Sequence, residues 1–512
     1  MLFNSFGFLF FFLPIVLAGF FWIAKRSELF AAAWLAAASL FFYAWWDYRY
    51  LPLLLISIVI NYCVGLQIAE SASEWKKRWL IGGVVFDLSL LAYYKYAGFF
   101  TSIVTEFSNL ALDFKDVILP IGISFFTFTQ IAYLVDTCQG KVKEYRFIHY
   151  LLFVTYFPHL IAGPVLHHKE MMPQFADSNN YKPSFENFSV GAFVFIIGLV
   201  KKVLIADNLA PYANDLFSSS AAPSFLMAWG GVLAYAFQIY FDFSGYSDMA
   251  IGLSRLFGVK LPLNFNSPYK SENIVEFWRR WHMTLSRFLR DYLYIALGGN
   301  RYGLFRRYTN LMVTMLLGGL WHGAGWNYLI WGGLHGIYLI VNHAWQAAAN
   351  RSDFSPTGKV WKLASSIITF LAVCFAWVFF RAVDLNSAEQ IIFGLVGKFG
   401  IGIPNAIAAH LGASAVLLEN FGVKFFLGGG TRFVETWLWV AGAAFIAFFL
   451  PNTQQMARGF FPALDFVQNE NLNSSINIVW KPNRSWALVL SVFAVFCLLS
   501  LNKPSDFLYF QF

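Results

Sequence analysis

The sequence predicts an all-α integral membrane protein: about eleven transmembrane helices, with re-entrant and interfacial helices gathered around a polar centre. Three observations predict it. Hydrophobic residues make up 58% of the chain and charged residues only 12%, against about 25% charged in a soluble domain, so a water-soluble core has no room for the apolar surface. The apolar runs approach the ~20 residues that cross a hydrocarbon layer, and they are continuous where a porin-like barrel would alternate. Aromatic residues reach 20%, which suits interfacial belts of Trp and Tyr. The net charge of +8 is accounted for by lysines and arginines kept on the cytoplasmic side, so no nucleic-acid partner is expected.

Taken in order, the first five spans are expected at residues 5–24, 29–46, 53–69, 79–99 and 117–137. The N-terminal run lacks a basic leader and a small-residue cleavage site, and its charges follow the apolar stretch, so it is expected as a retained first span. The loops alternate in charge: two, three and three Lys or Arg in loops one, three and five, but one each in loops two (Arg49) and four (Lys115). Basic loops stay in the cytoplasm, which places the N-terminus outside. Cys63, Cys138, Cys374 and Cys497 are scattered without C-x-x-C spacing. They are expected as packed thiols, with no disulfide framework, zinc site or other metal.

Beyond residue 147 the hairpin pattern breaks. Pro158, His159, Gly163 and Pro164 interrupt an apolar run and would leave backbone groups unpaired in lipid, so a broken or re-entrant helix lining a polar cavity is expected. Spans follow at 188–206 and 225–243. The second runs into YFDFSGYSDMAIG, where Asp242, Ser244, Tyr246 and Asp248 stand among apolar residues. Carboxylates at membrane depth are costly: these two either face a cavity or partner, or cap a kinked helix near the interface. Further spans are expected at 308–320, 326–345, 360–380, 386–403, 434–451 and 485–501. No fixed-period repeat supports an inverted-repeat transporter. The aromatic tail KPSDFLYFQF is expected to pack on the bundle.

The stretch from Phe277 to His335 holds the densest chemistry. Two histidines, His282 and His322, each follow a tryptophan, Trp281 and Trp321. Between Lys270 and Arg307 stand eight Lys or Arg (Lys270, Arg279, Arg280, Arg287, Arg290, Arg301, Arg306, Arg307) against Glu272, Glu276 and Asp291. At helical spacing Phe277, Trp281, Leu285, Phe288, Leu289 and Tyr292 share one side, and Arg280, Arg287 and Arg290 lie toward the other. The segment reads either as a basic interfacial anchor or as a site for a phosphate-rich donor such as an acyl-coenzyme A. His322 opens WHGAGWNYLIWGGLHG, whose small residues allow close backbone approach. A desolvated neutral imidazole there suits a general base; a structural histidine bonded between helices is the other reading.

Other chemistries find no support. His322 and His335 are thirteen residues apart, about 220° around one ideal helix, so a continuous helix would not offer both to one metal. There is no H-E-x-x-H pair, G-x-S-x-G elbow, P-loop or G-x-G-x-x-G. His167 and His168 look like loop residues, and His149, His343 and His410 look structural.

FPHLIAGPV (157–165), YFDFSGYSDMAIG (240–252), EFWRRWH (276–282), LRDYLYIALGGNR (289–301) and LLGGLWHGAGWNYLIWGGLHG (316–336) together resemble the membrane-bound O-acyltransferase family, in its bacterial alginate O-acetylation subgroup. The resemblance runs from the N-terminus to about residue 380 and returns in the tail. It implies a single polytopic domain over 1–512, with an N-terminal five-span part (1–146), a catalytic core (147–345) and C-terminal spans (346–512) whose segment 397–484 does not fit the pattern. It implies a funnel-shaped core where a cytoplasmic donor meets an outer acceptor. His322 takes the family's base position and His282 its second histidine position, with Arg279, Arg280, Trp281, Trp321, Asn327, Asp242 and Asp248 as donor-binding or core-lining candidates. No cofactor is implied; acetyl-coenzyme A or another acyl thioester is the substrate. Implied partners are membrane lipid, the acyl-coenzyme A donor, a periplasmic or membrane-anchored acetyltransferase and polysaccharide export machinery, at a bacterial inner membrane. The expected function is O-acetylation of an exported polysaccharide, alginate first, with peptidoglycan, cellulose or D-alanyl transfer as alternatives. A non-catalytic transport or export subunit is the reading from another class.

Overall fold

A computed structural model describes residues 1–108, 118–142, 146–219, 221–351, 358–464, 476–502 and 508. The chain is helical almost throughout; among the described residues one two-stranded parallel sheet pairs Ile401–Pro404 with Val423–Phe426. Among the described residues five helices are long and apolar enough to cross a membrane: Tyr48–Glu70, Ser73–Ser108, Phe185–Phe217, Lys359–Arg381 and Gly430–Phe449. Shorter apolar helices run over Phe8–Ala24, Glu28–Ala44 and Arg484–Ser500.

The pillar of the fold is a helix of 32 residues, Phe225–Leu256, buried along nearly its whole length. The sequence predicts a span ending near 243 and a kinked polar continuation; the structure has one continuous helix because the acids inside it are neutralised. Asp242 pairs with Lys202 at 2.7 Å and Asp248 with Lys201 at 2.6 Å. Both lysines stand on a π turn, Val200–Ala206, of the neighbouring helix. The two helices run antiparallel and touch backbone to backbone. A Cβ at Gly198 would lie 2.6 Å from the Gly245 carbonyl oxygen, and one at Gly191 2.8 Å from that of Gly252. Small residues at such a crossing admit the close approach that dispersion between membrane helices requires.

The pillar also divides the core. Tyr246 to Leu256 join an N-terminal hydrophobic cluster, whereas Ala228 to Phe243 join a second cluster built from residues after 205. His282 and His322 lie at the seam, since Trp321 belongs to the first cluster and Trp281, Trp331 and Trp377 to the second.

Several expectations are corrected. The apolar stretch 386–403 does not span: its helix covers only the 11 residues Leu385–Leu395, a rise of about 16 Å, and Gly397 and Gly400 leave it with φ of 79° and 81°. The basic amphipathic helix is not continuous but breaks into Ile274–Arg280 and Met283–Phe288, and its apolar side is buried in the core. His322 ends the helix Gly303–His322 instead of opening one. His167 and His168 are buried, the second at the start of the helix His168–Phe175. Cys63 is exposed on the bundle rather than packed. The run from 147 does break, into Phe147–Thr155 and Phe157–Leu160 followed by non-helical 161–167; residues 152–167 are buried inside protein, where the broken backbone escapes lipid. Of the aromatic tail only Leu508 is described; it is buried, and its backbone N–H donates to Asp242. The rest of the tail, like Lys115 in the fourth loop, lies outside the described residues.

Candidate active site

His282 owes its position to a distant asparagine. The helix Ile274–Arg280 begins under an Asn273 cap on the Glu276 N–H and stops where the segment Asn264–Asn266 runs alongside. Asn266 N–H donates to the Arg280 carbonyl, and Met283 N–H to the Asn264 carbonyl, each at 2.9 Å. Between them His282 adopts a left-handed backbone with φ of 43°. Non-glycine residues rarely take that region, and those that do cluster at functional sites. Its buried ring is fixed by the same asparagine: Nδ1 lies 3.1 Å from Asn264 Oδ1, which also accepts from the Thr284 hydroxyl at 3.0 Å. An amide oxygen only accepts, so Nδ1 carries the proton and Nε2 the lone pair.

His322 is held by its backbone and wrapped by rings. Its imidazole lies 4.9 Å from Trp321, 5.1 Å from Trp331 and 5.1 Å from Phe380, centroid to centroid, and 6.4 Å from His282. The following helix, Trp326–Arg351, folds back against the first because glycines line the crossing. A Cβ at Gly319 would collide with the Tyr328 carbonyl, and one at Gly332 with that of Met315. His335 is therefore on a second helix, and the wheel argument that separated it from His322 does not apply: both rings pack on Trp331. Trp278 Nε1 donates to His335 Nδ1 at 3.3 Å. Among the described residues no three His, Cys, Asp or Glu side chains converge to hold a metal.

Three cavities meet this region. One of about 120 Å³ is bounded by His322, Trp321, Lys95, Ser124 and Gly122. A small one touches His322 from the other flank, beside Asp242, Trp281 and Trp377. The largest, about 610 Å³, is lined by Arg279, Arg287, Arg290, Arg307 and His343, and by Met283 and Thr284 next to His282. It flanks the first half of the Gly303–His322 helix, whereas the 120 Å³ cavity lies at its last turn. From Arg307 to His322 the helix rises about 22 Å; the large cavity lines it from Arg307 to Met315 and the 120 Å³ cavity at Trp321 and His322.

The remaining candidates separate by partner. Arg287 makes a forked pair with Glu170, both bonds 2.9 Å, Arg290 binds Asp291, and Arg307 donates to His343. Arg279 lines the large cavity with no partner among the described residues. Arg280 is tied to Glu276 at 2.5 Å. Asp242 borders the small cavity while paired with Lys202. Asp248 accepts from Lys201, Thr453 and Gln454, away from the histidines. Asn327 donates to the Ala382 carbonyl at 2.8 Å, joining two helix ends. Two residues beside the histidines escaped the sequence reading: Asn264, which carries no local signal, and Lys95, which carries one, an ionisable group inside the apolar run LLAYYKYAGFF.

Fold and site together define a class: a polytopic helical membrane protein with two neighbouring histidines at the seam of its core, one of them bordering a cavity and a separate basic cavity close by. Within that class the chain belongs to the MBOAT, membrane-bound O-acyltransferase family, whose model matches residues 30–383. It is 47% identical over 431 residues to the peptidoglycan O-acetyltransferase of Helicobacter pylori, covering 79% of this chain and 81% of that protein. It is 40% identical over 531 residues to the probable alginate O-acetylase AlgI of Pseudomonas putida, covering 100% of both. The teichoic acid D-alanyltransferase of Streptococcus thermophilus shares 30% over 236 residues, 44% of this chain and 57% of that one. The protein is an acyltransferase of a bacterial membrane.

Proposed function

We propose that the protein moves an acetyl group from acetyl-coenzyme A, bound from the cytoplasm, across the inner membrane for O-acetylation of an exported polysaccharide. The observation that carries this reading is that His322 lines one cavity at the end of its helix while a basic cavity, which Met283 and Thr284 line beside His282, runs along the earlier turns of that helix. A phosphate-rich donor matches the basic cavity, where Arg279 has no partner among the described residues and Arg307 and His343 stand near it. Forked or charge-assisted bonds to phosphate hold such a donor in place. The acceptor hydroxyl enters from the Lys95–Ser124 side.

His322 then acts as the base. Its imidazole takes the proton of the acceptor O–H, the oxygen bonds to the thioester carbonyl carbon, the C–S bond breaks, and the departing thiolate recovers that proton from the imidazolium. A thioester is reactive enough that a base and positioning suffice without a covalent serine. His282, fixed as the Nδ1–H tautomer by Asn264, orients the donor or the second imidazole. A periplasmic or membrane-anchored acetyltransferase completes transfer to the polymer, so the immediate acceptor is either a sugar or a protein side chain.

Alginate is the leading polymer, favoured by the relative that matches end to end. Peptidoglycan is the second reading, favoured by the 47% identity to the Helicobacter pylori enzyme. The test is release of labelled acetate equivalents from acetyl-coenzyme A by reconstituted protein, offered each polymer with its periplasmic transferase. Turnover lost in folded His322→Ala is the expected result. Full turnover in that variant would sink the assignment of the base, and none in the wild type would sink acetyl-coenzyme A as the donor.

A further inference from the structure

The helix that ends at His322 is gripped by its neighbour. An α-helix leaves its last four carbonyls without intrahelical partners, here those of Gly319, Leu320, Trp321 and His322. All four are met. Gly323 N–H donates back to Gly319. Tyr96 OH donates to the Leu320 carbonyl at 2.9 Å, and Lys95 Nζ to those of Trp321 at 2.6 Å and His322 at 3.2 Å. Two successive side chains thus reach one helix end, and both stand on a π turn, Ala92–Tyr96, set between the α-helical segments Ser73–Leu91 and Ala97–Ser108. Such turns are rare and recur at functional sites.

We infer that Lys95, assisted by Tyr96, is the positioning residue for His322, and the inference rests on the reading of His322 as the reacting base. Lys95 is not itself a site for an anionic ligand. Its ammonium has three N–H donors, and three protein oxygens surround it, Ser124 Oγ at 3.4 Å completing the set. Its charge instead faces the negative end of the helix dipole, at the one residue whose depth against the 120 Å³ cavity decides whether an acceptor oxygen can reach the imidazole. A methionine there keeps the apolar stem and removes the grip. An arginine keeps the charge and offers donors to the same carbonyls.

Lys95→Met, Lys95→Arg and Tyr96→Phe in the full-length protein, in lipid nanodiscs, separate positioning from mere stability. Two readouts are taken: acetyl transfer from labelled acetyl-coenzyme A, and the rate at which diethyl pyrocarbonate modifies each histidine, resolved by mass spectrometry. Displacement of a catalytic group by an ångström costs on the order of 100-fold, so Lys95→Met is expected to lower kcat about 30- to 100-fold with the donor KM within about twofold. Lys95→Arg should recover a large part of that loss, and Tyr96→Phe should lower kcat about threefold, as for one hydrogen bond. The modification rate of His322 should change relative to His282. Wild-type kcat and labelling in folded Lys95→Met, or a loss expressed wholly in donor KM, would overturn the inference. Should Lys95→Met not fold, unaltered kcat and labelling in both other variants overturns it and the graded loss sustains it. If the wild type transfers nothing from acetyl-coenzyme A, the proposed donor fails, and the His322-to-His282 labelling ratio alone still decides the role of Lys95.

Discussion

The two Trp-His pairs are the same dipeptide built in opposite ways. At Trp281-His282 the backbone is bent into the left-handed region and the ring is tied by a hydrogen bond to Asn264. At Trp321-His322 the backbone is an ordinary helix end, the carbonyls are held from outside, and the ring is surrounded by aromatic faces at the edge of a cavity. One histidine has its ring tied to a neighbour's amide; the other sits at a helix end whose carbonyls are held from outside, with its ring packed among aromatic faces. Of the two, His322 borders the cavities described, where a base would meet its hydroxyl. The difference teaches that the motif W-H carries no role by itself.

The sharpest test of that contrast is a matched pair of substitutions. His322→Gln should lower turnover about 10³-fold, the middle of the range for loss of a general base, while His282→Gln should lower it about tenfold because an amide at that position can still donate to Asn264. Steady-state transfer rates of the two variants check it; equal losses would erase the distinction.

Next in size is Asn264→Leu. It strips the acceptor from the His282 ring and the Thr284 hydroxyl, both buried, and unsatisfied buried donors cost about 1–3 kcal/mol each. A marked drop in thermal midpoint is expected, followed by intrinsic fluorescence. Asn327→Leu, which frees only one carbonyl, should fall well short of it.

On the donor side the contrast is between a cation with no described partner and a paired one. Arg279→Gln should raise the donor KM about tenfold, as loss of a charge-assisted bond predicts, and leave kcat near wild type. Arg290→Gln removes an exposed pair with Asp291, worth about 0–1 kcal/mol at a surface, and should shift KM by less than about twofold. A larger effect at Arg290 than at Arg279 would move the donor's phosphates to the other wall of the cavity.

How much of this was legible follows from the range of the forces involved. Membrane class and the early helices were, because hydropathy is local to each run. The ion pairs inside the pillar helix were legible in half: Asp242 and Asp248 stood out, and their partners Lys201 and Lys202 were visible as a basic pair ending an apolar run, with nothing to join the two. The break at His282 was not, since the asparagine that causes it lies 18 residues away in sequence. The false span at 386–403 came from weighing apolar content above Gly397 and Gly400, whose positive φ ends the helix. Lys95 was passed over because its neighbours are apolar enough to sustain a span around it.

The π turn that carries Lys95 has a consequence for chain length. It holds one residue more than an α-helix needs over the same rise, so deleting a single codon between Ala92 and Tyr96 would restore regular winding and leave both flanking segments intact. Hydropathy would barely register the loss. The flanking segments would keep their register, but the residues of the turn itself would be redistributed around the axis, each place being about 100°, and the lysine and tyrosine would no longer face the same helix end. Among chains of this family, a one-residue gap at this point would therefore mark a catalytic centre supported in some other way, in sequences that hydrophobicity alone would judge equivalent.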